Sequence, residues 1–101
     1  MSNDKVNHPN HYNIPGKKEC IEQMREDYGE YITAVFCLTS AYKYLYRAGT
    51  KPGETRDEDI SKAKWYCTYM STLNINYSID NEDILSKLTE EVFTMLYKGE
   101  A

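Results

Sequence analysis

Along the chain, apolar side chains return every three or four residues in three long stretches and one short one, the period of helices that bury a single face. The clearest stretch runs from about Glu30 to Ala48, where Tyr31, Val35, Leu38, Tyr42 and Leu45 follow at spacings of 4, 3, 4 and 3. Gly49 stands where a C-terminal cap is needed, so the helix should stop there. After Pro52 and Gly53, Thr55 with Glu58 three residues on forms a capping-box pattern that starts the next helix. That helix should bury Ile60, Ala63, Cys67 and Met70 and end near Leu73. The last long stretch, about Asn81 to Lys98, sets Ile84, Leu88, Val92 and Met95 on one face and stops at Gly99. The short one, Lys17 to about Asp27, carries Cys20, Ile21 and Met24 on one side and ends near Gly29.

Two segments carry no such period. Met1 to Gly16 holds Pro9, Pro15, three asparagines from Asn7 to Asn13 and both histidines, which is loop chemistry, and Asn74 to Asp80 also reads as a loop. There is no internal repeat, low-complexity tract or dividing linker. The expected fold is all-α: a compact bundle of about four helices with a polar N-terminal arm and short connections that favour antiparallel neighbours. A chain of 101 residues buries only about two thirds of its unfolded surface, so residues 1–101 form one domain whose stability should be shared with a partner subunit. Leu85, Phe93, Leu96 and Tyr97 surround more than one side of the last helix, 81–98, which suits packing or homo-oligomerisation.

Charge and cysteine usage narrow the function classes. A net charge of −4 argues against a protein that coats duplex nucleic acid, but leaves room for a local pocket that holds a small anion. Three cysteines, each inside a helical run, imply a reduced, intracellular setting. No apolar run approaches the roughly 20 residues of a membrane span and the first residues lack the apolar stretch of a signal peptide, so a cytoplasmic protein without membrane contact is expected.

The candidate chemistry sits on the middle two helices. Lys43 and Arg47 are four residues apart and share a face, with Ser40 and Tyr44 beside them. On the next helix Asp59, Lys62 and Tyr66 share a stripe next to Trp65. Across an antiparallel hairpin these groups would supply the donors that grip a phosphate and the rings that stack on a base. The bland alternative is that the charges satisfy helix dipoles, or that Arg47 simply pairs with Asp59. In the arm, Asn7, His8, His11 and Tyr12 either fold over a ligand or belong to a terminal tail. The two histidines lack the carboxylate or cysteine spacing of a metal site, so no bound structural metal is expected. Gly49-Thr-Lys-Pro-Gly53 lies between two helices and is not a phosphate-binding P-loop, and no dinucleotide fingerprint or Gly-x-Ser-x-Gly elbow is present. The carboxylates from Glu54 to Asp59 suit either magnesium or a solvated helix start.

Three ordered motifs, Val6-Asn-His-Pro-x-His-Tyr12, Ala41-Tyr-Lys-Tyr-Leu-Tyr-Arg-Ala-Gly49 with Lys51, and Asp59-Ile-x-Lys-Ala-Lys-Trp-Tyr66, resemble the small bacteriophage and prophage proteins known as nucleotide kinase-like, or SaV-like. The resemblance covers about residues 6–70 and leaves out the last helix. It implies a phage protein that phosphorylates deoxynucleoside monophosphates without a Walker loop. It points to Asn7, His8, Pro9, His11 and Tyr12, to Lys43, Tyr44, Arg47, Gly49 and Lys51, and to Asp59, Lys62, Ala63 and Tyr66. On that reading Lys43, Arg47 and Lys51 neutralise the transferring phosphoryl group of a nucleoside triphosphate donor. Asp59 or a nearby acid positions Mg2+, and His8 or His11 serves as donor or base. The alternative is a non-catalytic sponge that uses the same pocket to sequester a host immune signalling nucleotide. Pyrophosphatase-type hydrolysis, which needs carboxylates on paired helices, fits less well, because the second helix has none after Glu30.

Overall fold

In the computed structural model, residues 18–75 and 82–100 are described, and they form three α-helices without a strand. Helix α1 spans Cys20–Tyr46, α2 spans Arg56–Met70 and α3 spans Glu82–Glu100. The count is three, not about four, because the expected first and second helices are joined across Gly29. At φ 89° and ψ 177° that residue bends the backbone without ending the element, in a region open to glycine alone. Glu30, just past the bend, receives Arg25 Nη2 at 2.8 Å and the backbone N–H of Asn74, so the kink is tied to the chain beyond α2. The N-terminal arm and the centre of the 74–80 loop lie outside the described residues.

The core is a seam of small side chains between α1 and α2. Ala34, Cys37 and Ala41 of α1 and Ala63 of α2 are fully buried, with Cys67 almost so. Short side chains let the two backbones approach closely, and this turns α1 by about one residue from the expected face. Tyr31, Val35 and Leu45 become flanking contacts and Tyr42 faces partly outward, while Leu38 and Tyr44 go inward. Helix α2 buries Ile60, Ala63, Cys67 and Met70, as its spacing predicts. Its start is fixed by the capping box: Glu58 N–H donates to Thr55 Oγ1 at 3.1 Å and Thr55 N–H to Glu58 Oε1 at 3.0 Å. Its end comes at Met70, three residues early, and the chain from Ser71 to Leu73 continues as turns.

Helix α3 closes the bundle with Leu85, Val92 and Leu96, whereas Ile84 faces solvent. Val92 and Leu88 lie where the spacing puts them, with Leu88 packed against the core, and the covered side extends to Leu85 and Leu96 and not to Ile84, because the groove between α1 and α2 decides which side of α3 is covered. Gly99 meets that groove so closely that a Cβ there would lie 3.3 Å from Ile60 Cδ1, and Arg56 Nη2 donates to Gly99 O at 2.8 Å. No described helix is long and apolar enough to cross a membrane.

Candidate functional site

The end of α1, the turn 47–55 and the start of α2 meet in one charged cluster. Arg47 caps α1, and two residues later Gly49 takes φ 81°, which turns the chain back toward α2. A side chain at Gly49 would be strained by this φ and would bring its Cβ 3.1 Å from Arg56 Cβ. The turn is held by Thr50 N–H on Arg47 O at 2.8 Å and Glu54 N–H on Lys51 O at 3.2 Å. It projects Glu54 into the gap between the helices.

Glu54 is the hub. Its Oε2 accepts from Arg47 Nη2 at 3.3 Å, and its Oε1 accepts from Lys62 Nζ at 2.9 Å and lies 3.7 Å from Lys51 Nζ. Below this layer Tyr44 presents its ring to three cations: Lys43 Nζ at 4.7 Å, the Arg47 guanidinium at 4.8 Å and Lys62 Nζ at 5.6 Å from the centroid. Such contacts contribute about 0.5–1 kcal/mol each at exposed positions, which helps hold like charges together. Tyr66 stacks on the Tyr44 ring at 6.0 Å and an interplanar angle of 15°, so the platform is two rings deep.

Asp59, in the first turn of α2, is fully buried. Its Oδ2 accepts from Gly49 N–H at 3.3 Å, while Oδ1 stands 3.8 Å from Arg47 Nε, too far for a hydrogen bond. Both Asp59 Oδ1 and Arg47 Nε are buried with no hydrogen-bond partner of the usual kind. Burial, and then the neighbouring Glu54, raise the Asp59 carboxyl above its ordinary range, while the Gly49 N–H and Arg47 pull it the other way. The hydrogen bond from Asp59, followed by that from Lys62, pulls Glu54 down to about 2.

Of the residues expected from sequence, Lys43, Tyr44, Arg47, Lys51, Asp59, Lys62 and Tyr66 come together here. Trp65 is placed differently: it meets the edge of Tyr66 at 5.1 Å and stacks on Tyr69 at 5.6 Å, and with Ile21 and Phe36 it lines a separate apolar depression. Asn7, His8, His11 and Tyr12 lie outside the described residues. The expected Arg47–Asp59 pair exists as a long contact, with Arg47 held more closely by Glu54. Sequence reasoning named Glu54 only as one of several clustered acids. Its place between two glycines' turn and a capping threonine was the available signal. Glu54, ringed by three cations, and Asp59, buried and held by the Gly49 N–H, do not fit a divalent metal ion, and no group of three metal-ligating side chains gathers among the described residues.

Residues 6–68 match the profile of a family described as a protein of unknown function (DUF3310), and the chain belongs to that family. The matched stretch takes in α1, the turn and nearly all of α2, and so the whole cluster. No curated protein and no solved structure matches the chain.

Proposed function

We propose that this member of the family binds nucleotides, its α1–α2 junction gripping the phosphate, and that it acts as a nucleoside-monophosphate kinase-like phosphotransferase. The observation that carries the reading is the imbalance of charge at the cluster. Lys43, Arg47, Lys51 and Lys62 converge around two acids, Glu54 and the buried Asp59, on a chain whose overall charge is −4. An anion with several acceptor oxygens relieves that crowding, and charge-assisted hydrogen bonds of this kind contribute about 1.5–3 kcal/mol each. The buried Tyr44–Tyr66 stack beneath the cations holds them in place by its ring face and is itself covered, so the support for the reading comes from the phosphate-gripping charges.

For phosphoryl transfer, Lys43, Arg47 and Lys51 would spread the charge of the migrating group while an acceptor phosphate oxygen attacks the donor's terminal phosphorus and the diphosphate leaves. Magnesium would arrive on the phosphates of the triphosphate donor and not through Glu54 or Asp59. His8 or His11 is assigned to proton transfer on the strength of the motif alone. A second reading, capture without chemistry, is favoured by Asp59. A fully buried acid, shifted toward its neutral form by that burial, is poorly suited to positioning a metal or activating an acceptor. In that reading the protein is a phage-encoded sponge for a host signalling nucleotide.

The two readings part on turnover. Deoxynucleoside monophosphates mixed with the protein, a triphosphate donor and magnesium should yield diphosphates if it is a kinase. No product in any combination, together with a nucleotide retained through native mass spectrometry, would leave the sponge. Either way Arg47→Ala should abolish nucleotide binding in calorimetry, and unchanged affinity would remove Arg47 from the site.

A further inference from the structure

We infer that Glu54 is an internal stand-in for the ligand's phosphate, and that a phosphomonoester enters the cluster by displacing its carboxylate. The inference rests on the phosphate-binding reading above and adds what the site selects and how it is kept closed. Glu54 occupies the position an anionic ligand would need, between Arg47 Nη2, Lys62 Nζ and Lys51 Nζ. Its two oxygens are both committed, one to Arg47 and one to the lysines, and a buried donor, Arg47 Nε, is left over. Drawn toward the lysines by Oε1, the Glu54 carboxylate reaches Arg47 through Nη2 alone and leaves Nε unserved in this geometry. A terminal phosphate group, with three oxygens, serves all of them and brings close to two negative charges where Glu54 brings one. A phosphodiester, with two free oxygens and one charge, matches Glu54 and gains nothing over it. The chemistry therefore favours monoesters.

The turn is built for the exchange. Glu54 follows Gly53, which takes φ 85° and has open space where a side chain would project. Glu54 itself is anchored by a single long backbone bond to Lys51, and the helix begins two residues later at Arg56. Rotation at Gly53 and about the Glu54 side chain frees the cations without disturbing the Thr55–Glu58 cap.

Calorimetry on the full chain, at fixed pH and low salt, tests this with three probes: a deoxynucleoside monophosphate, inorganic phosphate and a 3′,5′-cyclic nucleoside monophosphate. Glu54→Gln removes the competing charge and should tighten the monophosphate by at least tenfold, about 1.4 kcal/mol in binding free energy. The cyclic diester should stay weak in both proteins. Glu54→Asp, whose shorter arm reaches less far into the cluster, should shift affinity in the same direction by less, and carries the test if the glutamine variant fails to fold. Equal affinity of parent and variants for the monophosphate would overturn the inference and leave the nucleotide-binding reading intact. A cyclic diester bound as tightly as the monoester would overturn the selectivity. No heat with any probe, in parent or variants, would overturn the inference and the reading together.

Discussion

Asp59→Asn should leave the fold nearly as stable as the parent, whereas Asp59→Ala should not. The Asp59 carboxyl accepts from Gly49 N–H and burial raises its pKa; were it to share a proton with Glu54, an asparagine amide would offer the same acceptor and donor in the same shape. Its cost should stay within about 1 kcal/mol, the net value of an ordinary hydrogen bond made slightly worse. Alanine leaves the Gly49 N–H buried without its acceptor, which costs about 1–3 kcal/mol, and opens space in a fully buried position for roughly 1 more. The sum is about 2–4 kcal/mol, or a fall in Tm of some tens of degrees at most, given about 4–8 °C per kcal/mol in a domain of this size. Urea unfolding of the three proteins followed by circular dichroism measures both values. If Asp59 were instead an ionised partner of Arg47, asparagine would strand a buried guanidinium and cost about 3–5 kcal/mol. An asparagine variant as unstable as the alanine variant would therefore refute the shared proton.

Glu54 sets an acid limb. Its carboxyl is held at about 2 against an ordinary 4.5, so its contribution is complete above about pH 4.5 and is lost as pH falls toward 2; Glu54→Gln should flatten stability across that window in acid titrations. Gly49→Ala should destabilise by about 1–3 kcal/mol, since it adds crowding against Arg56 to an unfavourable φ, and Gly53→Ala, with open space around it, by less; thermal melts that rank them the other way would contradict the turn geometry. The Cys37 thiol is pushed up to about 12 by burial and then by Cys67, so at pH 8 iodoacetamide should label the exposed Cys20 first and spare Cys37 until urea unfolds the chain, as read by mass spectrometry.

Local rules made much of the framework legible. The Thr55–Glu58 cap, the turn at Gly49 that follows α1 and the buried face of α2 follow from side-chain spacing and glycine's access to positive φ, which need no knowledge of partners. What the sequence hid is what depends on a second element. Ile84 and Leu85 suit the same helix equally, and only the groove formed by α1 and α2 selects Leu85. Gly29 is the non-helical residue that its sequence position announces, but the chain resumes helix at once, with Glu30 held by Arg25 and by the distant Asn74, and that continuation is what the sequence does not show. At the site, Lys43 and Arg47 were visible as a helical stripe. Glu54 was not, since a turn residue has no period to betray which way it points. Asp59 looked like one more dipole-facing acid until burial set it apart.

The alanine and cysteine seam sets a distance as well as a core. Lys43 and Arg47 ride on one side of it and Asp59 and Lys62 on the other, so the gap across which they cooperate is fixed by how near Ala41 and Ala63 allow two backbones to come. Adding one or two carbons at Ala63 would act as a wedge, prying the rods apart well away from any charge and loosening the grip at their far ends. On the proposed reading of the site, affinity would thus be calibrated by residues that no ligand would ever touch.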